Sequence, residues 1–147
     1  MRTGMWLAGI GILGLGMGSA AAQQDLSAER RALMRQQIQA MRAIAPVVQG
    51  NGEVRSALQP AEAVLATAQR KLALFPPGSD RDDDRARPEI WTDRAAFDAY
   101  GASLIQGANA MIAAANAGDR AALTAAFQAT SNTCNACHDR FRLPQRQ

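Results

Sequence analysis

Histidine is all but missing from this chain: one stands among 147 residues, alongside two cysteines. A structural zinc site takes four thiolate or imidazole ligands, so these residues cannot complete one. Aromatic side chains make up only 5% of the sequence, and a core with so few large groups would gain from something bulky at its centre. β-Branched residues are sparse and alanine is abundant, which favours helix. There is no alternating strand pattern, no internal repeat and no low-complexity tract beyond the alanine bias. The formal charge is +3, with no stripe of lysines or arginines, so the footprint of a nucleic-acid binder is lacking. Beyond the N-terminus, no segment has the roughly 20 apolar residues that a membrane-spanning helix needs.

The N-terminus itself is laid out as a secretory leader. Arg2 supplies a short positive region, and residues 7–18 form an apolar stretch too short and glycine-rich to make a good anchor. Ala20-Ala21-Ala22 then offers an A-x-A cleavage site before Gln23. Residues 1–22 are expected to be removed, leaving residues 23–147 as one periplasmic domain with no membrane anchor after processing. Two cysteines in an exported protein ordinarily suggest a structural disulfide. Here Cys134 and Cys137 would close so small a loop that a bridge would hardly restrict the unfolded chain.

Four helical stretches fit the apolar spacing. The first runs from about Leu26 to Gln49, with Leu33, Met34, Ile38, Met41 and Ile44 at helical intervals. Pro46 in its last turn marks a kink or an early end, and Gly50-Asn51-Gly52 a stop. The second runs from Glu53 to about Phe75; Pro60 either kinks it or stands in the first turn of its continuous part. A charged loop follows. Thr92-Asp93 signals the N-cap of the third helix, which stops at Ala117-Gly118. Asp119 caps the fourth, which carries Cys134 and Cys137 and reaches Phe141, with Pro144 closing it. Short connections between four helices predict an all-α, antiparallel up-down four-helix bundle.

The chemistry concentrates in Cys134-Asn135-Ala136-Cys137-His138. C-x-x-C-H is the attachment signature of a c-type haem. On a helix, residues three and four apart share a face, so both sulfurs can reach the two vinyl groups of one porphyrin and form thioethers. His138 can place an imidazole nitrogen on the iron from the same side. One haem c per chain would become part of the bundle core. A thiol–disulfide motif is the rival reading, but that motif belongs near a βαβ pattern, whereas this one lies on the last helix of an all-α chain. A dithiol oxidoreductase is therefore the outside alternative.

With that motif on the fourth helix of an exported bundle, the chain resembles cytochrome c′, the class II c-type cytochromes. Pro46-Val47-Val48-Gln49-Gly50, Leu74-Phe75-Pro76-Pro77-Gly78, Arg87-Pro88-Glu89-Ile90-Trp91 and Ala117-Gly118-Asp119 match in the same order. The resemblance implies thioethers from Cys134 and Cys137 and an axial bond from His138. It places Arg142 beside the proximal haem face. Arg30 falls at a haem edge where a cation pairs with a propionate, and Arg31, Ser79 and Asp80 fall at further haem-edge positions. Leu33, Phe75 and Phe127 are expected to wall the pocket.

Met34 matches the position facing the iron on its open side. The family has two forms: five-coordinate iron that binds nitric oxide or carbon monoxide, and low-spin iron with a methionine thioether as sixth ligand in a simple electron carrier. A lone histidine excludes bis-histidine ligation within one chain, and methionine at position 34 leaves both forms open. In either form the protein exchanges electrons with redox partner proteins and is not an enzyme. The family also implies a homodimer paired through the first two helices.

Overall fold

Helix follows the alanine-rich, 3.6-residue pattern almost throughout the computed structural model, which describes residues 19–80 and 85–144. The first long helix, α1 (Ser19–Val48), begins seven residues before the expected start. Most of the expected leader lies outside the described residues, and residues 19–22 continue into this helix. Pro46 is accommodated within its last turn, and Gly50 and Gly52, at φ +99° and +83°, turn the chain away.

The second stretch is not one helix but three pieces. A 3₁₀ turn (Val54–Ala57) leads into α2 (Leu58–Lys71), and another 3₁₀ turn (Leu72–Leu74) ends it. The prolines explain the segmentation. Pro60 falls in the first turn of α2, where its missing N–H is not needed. Pro76 pushes Phe75 out of the helical region, to φ −120° and ψ 58°. A single turn, α3 (Glu89–Thr92), precedes α4 (Arg94–Ala117), and α5 (Arg120–Phe141) completes the bundle. Asp119 caps α5 as expected, its carboxylate accepting from Ala122 N at 2.9 Å. Asp93 does not: it occupies the N-cap position of α4 without a side-chain capping bond, and its carboxylate pairs instead with Arg140 of α5.

Helix ends leave carbonyls without partners, and here arginines from neighbouring segments reach several of them. Arg120 donates to Val47 O at the end of α1 and to Gly52 O at 2.8 Å. Arg55 donates to Asn116 O in the last turn of α4 at 3.0 Å. Arg94 donates to Phe75 O and Leu72 O beyond α2, at 2.7 and 3.3 Å. A cation at a helix C-terminus is also favoured by the helix dipole.

The buried side chains separate into two clusters. One is aliphatic and small, built around Ile44, Val64, Ala108, Met111 and Leu123. The other is aromatic and gathers Phe75, Phe97 and Phe141 around Cys137 and Leu33. Phe97 meets Phe75 and Phe141 edge-on, at 5.0 and 5.4 Å between centroids, pairings worth about 0.5–1.5 kcal/mol each beyond the area they bury. The chain connects the clusters along α1, α4 and α5, and the space between them is where the site lies.

Close approach of α4 to α5 depends on Gly107, where a Cβ would collide with Thr130 Oγ1 and stand 3.3 Å from Thr130 Cβ. Thr130 is fully buried, with its hydroxyl donating to Ala126 O at 2.8 Å. Gly107→Ala is expected to destabilise the protein by about 1–3 kcal/mol, the usual cost of overpacking a tight contact. A fall in the denaturant midpoint with an unchanged slope would register it.

Candidate functional site

The last turns of α5 present Cys134, Cys137 and His138 at intervals of three and four residues, and all three open into one cavity of about 610 Å³. That volume falls within the roughly 300–1,000 Å³ of ordinary cofactor sites. Its walls come from α1, the end of α2, α4 and α5, with Met34, Met41, Phe97, Tyr100, Leu104 and Phe141 supplying much of the lining. Of the two cysteines, Cys137 is buried and Cys134 half-buried.

Burial, reinforced by the positive charges of Arg142, Lys71 and Arg85, pushes His138 down to about 4. The imidazole is therefore neutral near pH 7, the form that binds a metal. Burial pushes both thiols up, against the opposing charge of Lys71. Dithiol redox catalysis needs the opposite, a thiol whose pKa is lowered into the thiolate range. Among the described lining residues, Arg30, Arg31, Arg35, Lys71, Arg85 and Arg142 are cationic and none is a carboxylate. An apolar cavity with a neutral imidazole, two protonated thiols and a cationic lining suits a dicarboxylate macrocycle such as haem.

Arg30, Arg31, Met34, Phe75 and Arg142 all reach the cavity wall. Arg30 does more than line it. Its Nε donates to Leu74 O at 2.8 Å, both terminal nitrogens donate to Ser79 O at 3.1 Å, and Nη2 also donates to Ser79 Oγ at 2.6 Å. The guanidinium lies 4.3 Å from the Phe75 ring centroid. Neither Ser79 nor Asp80 is on the cavity wall. Ser79 is buried as the acceptor that holds Arg30, and Asp80 is exposed. Leu33 and Phe127 do not line the cavity either. Leu33 is packed in the aromatic cluster and Phe127 against the aliphatic one.

Gln37, Lys71 and Arg85 are among the lining residues that the sequence reading missed. Gln37 stands one turn beyond Met34 on an otherwise apolar stripe, a register that could have exposed it. Lys71 lies one turn before Phe75 and is buried, with its ammonium 5.8 Å from the Phe97 ring centroid. Arg85 carried no sequence signal. It adopts φ +81°, and its carbonyl accepts from Leu143 N at 2.7 Å, which pins this loop to the end of α5. Behind His138, Arg85, Arg87 and Arg142 border a second, polar cleft.

The profile of the family Cytochrome C′ matches residues 25–142. The chain belongs to the cytochrome c′ family. Cytochrome c′ of Rhodopseudomonas palustris is 38% identical over 135 residues, covering 90% of this chain and 91% of the relative. Cytochrome c-556 of Agrobacterium tumefaciens is 32% identical over 117 residues, covering 78% and 94%. Among solved structures, a nitric oxide complex of a variant cytochrome c prime from Alcaligenes xylosoxidans superposes with a TM-score of 0.78 at 29% identity, covering 84% of this chain and 97% of that one. Cytochrome c′ from Rubrivivax gelatinosus superposes with a TM-score of 0.76 at 26% identity, covering 82% and 97%. The fold is thus the cytochrome c′ four-helix bundle, and the cofactor is one covalently bound haem c, for which the cysteine pair fits the C-x-x-C-H attachment.

Arg30 holds the loop after α2 against α1 through a planar fork of donors. Arg30→Ala is expected to destabilise the holoprotein by about 2–3 kcal/mol, the scale of losing buried bonds to a charged group. Arg30→Lys is expected to recover little, because an ammonium cannot reproduce the fork. Thermal denaturation of the two variants beside the parent checks both outcomes.

Proposed function

We propose that this cytochrome c′ is a periplasmic electron carrier whose haem is fixed by thioethers from Cys134 and Cys137, with His138 as proximal ligand and an iron open to nitric oxide or carbon monoxide on the side of Met34. One observation carries the reading: Cys134, Cys137 and the neutral imidazole of His138 open from α5 into the same cavity that Met34 lines from α1. The nitric oxide complex of the Alcaligenes relative supports the open iron. When bound, the haem supplies an iron that exchanges one electron between ferric and ferrous states and can take a small ligand.

The chain's own groups set the conditions. His138 offers an unprotonated nitrogen because burial and three cations disfavour its charge. Arg142 brings positive charge to the same side. Arg30 and Arg31 place cations at the cavity for the propionates. Phe75, Phe97 and Phe141 keep water out and lower the local dielectric. No substrate is transformed in this reading, and the partners are redox proteins and a second copy paired through α1 and α2. Residues 1–22 are removed as an export leader. Among the described residues, no helix is long and apolar enough to cross a membrane.

A second reading draws on the same residue. Met34 brings a soft thioether to the cavity, and as sixth ligand it would make the protein a low-spin carrier closed to gases.

Protein made in a host with haem-attachment machinery is expected to have the mass of residues 23–147 plus one haem; a bare polypeptide mass overturns the proposal. Broad high-spin ferrous bands that shift with carbon monoxide are expected for the open form. Sharp low-spin bands that ignore the gas, and become high-spin in Met34→Ala, would establish the second reading instead.

A further inference from the structure

The polar cleft behind His138, of about 480 Å³, is bordered by Arg85, Arg87, His138, Asp139 and Arg142. Its charge is lopsided: three arginines stand against one carboxylate, Asp139, which is exposed. Backbone bonds hold these arginines together from two distant segments. Leu143 N donates to Arg85 O at 2.7 Å and Arg87 N to Phe141 O at 3.0 Å, while Ala86 and Arg142 form an antiparallel bridge. Arg85 takes up φ +81° to join this arrangement, the one residue other than glycine at positive φ among the described residues. That conformation costs free energy, as does crowding like charges. Yet the side-chain donors are largely unspent. Arg87 uses its Nε on Arg142 O at 3.2 Å, and the ion pairs among the described residues engage other arginines. A guanidinium carries five N–H donors and no acceptor. The cleft thus offers a surplus of donors and positive charge that no described side chain receives.

We propose that this cleft binds a small free oxyanion, divalent and tetrahedral in the manner of sulfate or phosphate, and that its occupancy lowers the reduction potential of the haem. Forks from three arginines suit oxygens that point in several directions, whereas a carboxylate is satisfied by one fork. Three arginines against Asp139 leave an excess of two positive charges, which a divalent anion balances. His138 borders both the cofactor cavity and the cleft, so negative charge in the cleft lies beside the residue assigned to the iron. Such charge favours the ferric state, which carries one more positive charge than the ferrous. Groups behind a ligating histidine tune the metal in just this way. By linkage, ferric protein holds the anion more tightly than ferrous protein, and reduction promotes its release. The coupling rests on His138 as proximal ligand; the anion site rests on the arginines alone.

The test titrates sulfate into haem-loaded protein at an ionic strength held constant with chloride, following binding by calorimetry and the potential by spectroelectrochemistry. The parent is compared with Arg85→Gln/Arg87→Gln and with Arg70→Gln, whose arginine pairs with Glu29 away from the cleft. Sulfate is expected to bind the ferric parent about tenfold more tightly than the ferrous, a coupling of ordinary size, and so to lower the potential by about 59 mV at saturation. Arg70→Gln is expected to follow the parent, and the double variant to lose both binding and response. Arg87→Gln alone gives up one exposed bond and keeps the test open if the double variant fails to fold; it is expected to weaken sulfate about tenfold. No binding to the parent, or equal binding by the parent and Arg87→Gln, overturns the site. A response to acetate as large as that to sulfate overturns the tetrahedral preference, and binding that leaves the potential unmoved overturns the coupling. Protein recovered without attached haem, before any anion is added, overturns the functional reading instead.

Discussion

A bundle of small side chains has to keep a cavity of about 610 Å³ open at its middle, and the rest of the architecture answers to that constraint. Helices held apart around a cofactor site cannot pack on one another there. Contacts on either side of it compensate. The aliphatic cluster grips α1, α2, α4 and α5 on one side, with Gly107 letting α4 close on Thr130. The aromatic cluster grips the other side around Phe97. A covalently held haem supplies the missing contacts between them, which accounts for a core so poor in large residues.

Arginine is the second recurring device. Arg120, Arg55 and Arg94 satisfy carbonyls at the ends of helices that other segments supply. Arg30 does this at the cavity wall itself. One residue type thus ties the connections down and surrounds the site with positive charge. A different set of cations, Arg142, Lys71 and Arg85, acts with burial to keep His138 unprotonated. Among Arg120, Arg55, Arg94 and Arg30, only Arg30 both ties down a connection, through Leu74 and Ser79, and lines the cavity.

Much of this was legible beforehand because its determinants are local. The Cys134, Cys137 and His138 spacing is a property of one helix, and so is the Asp119 cap. Pro60 announced a boundary, but not that 3₁₀ turns would flank the central helix. What could not be read depends on tertiary partners. Asp93 was expected to cap α4 and was taken instead by Arg140, a residue of another helix. Ser79 matched a haem-edge position, yet it faces the Arg30 guanidinium. Lys71 and Gln37 were not singled out in the sequence, and packing buries both.

The two opposing walls of the site come from the first and the last long helices, α1 and α5. A pocket assembled from such distant parts of the chain is a late, non-local event in folding. Cys137, buried once the bundle closes, stays accessible along the extended polypeptide until then. A porphyrin therefore reaches Cys137 more readily along the open chain than in the finished bundle.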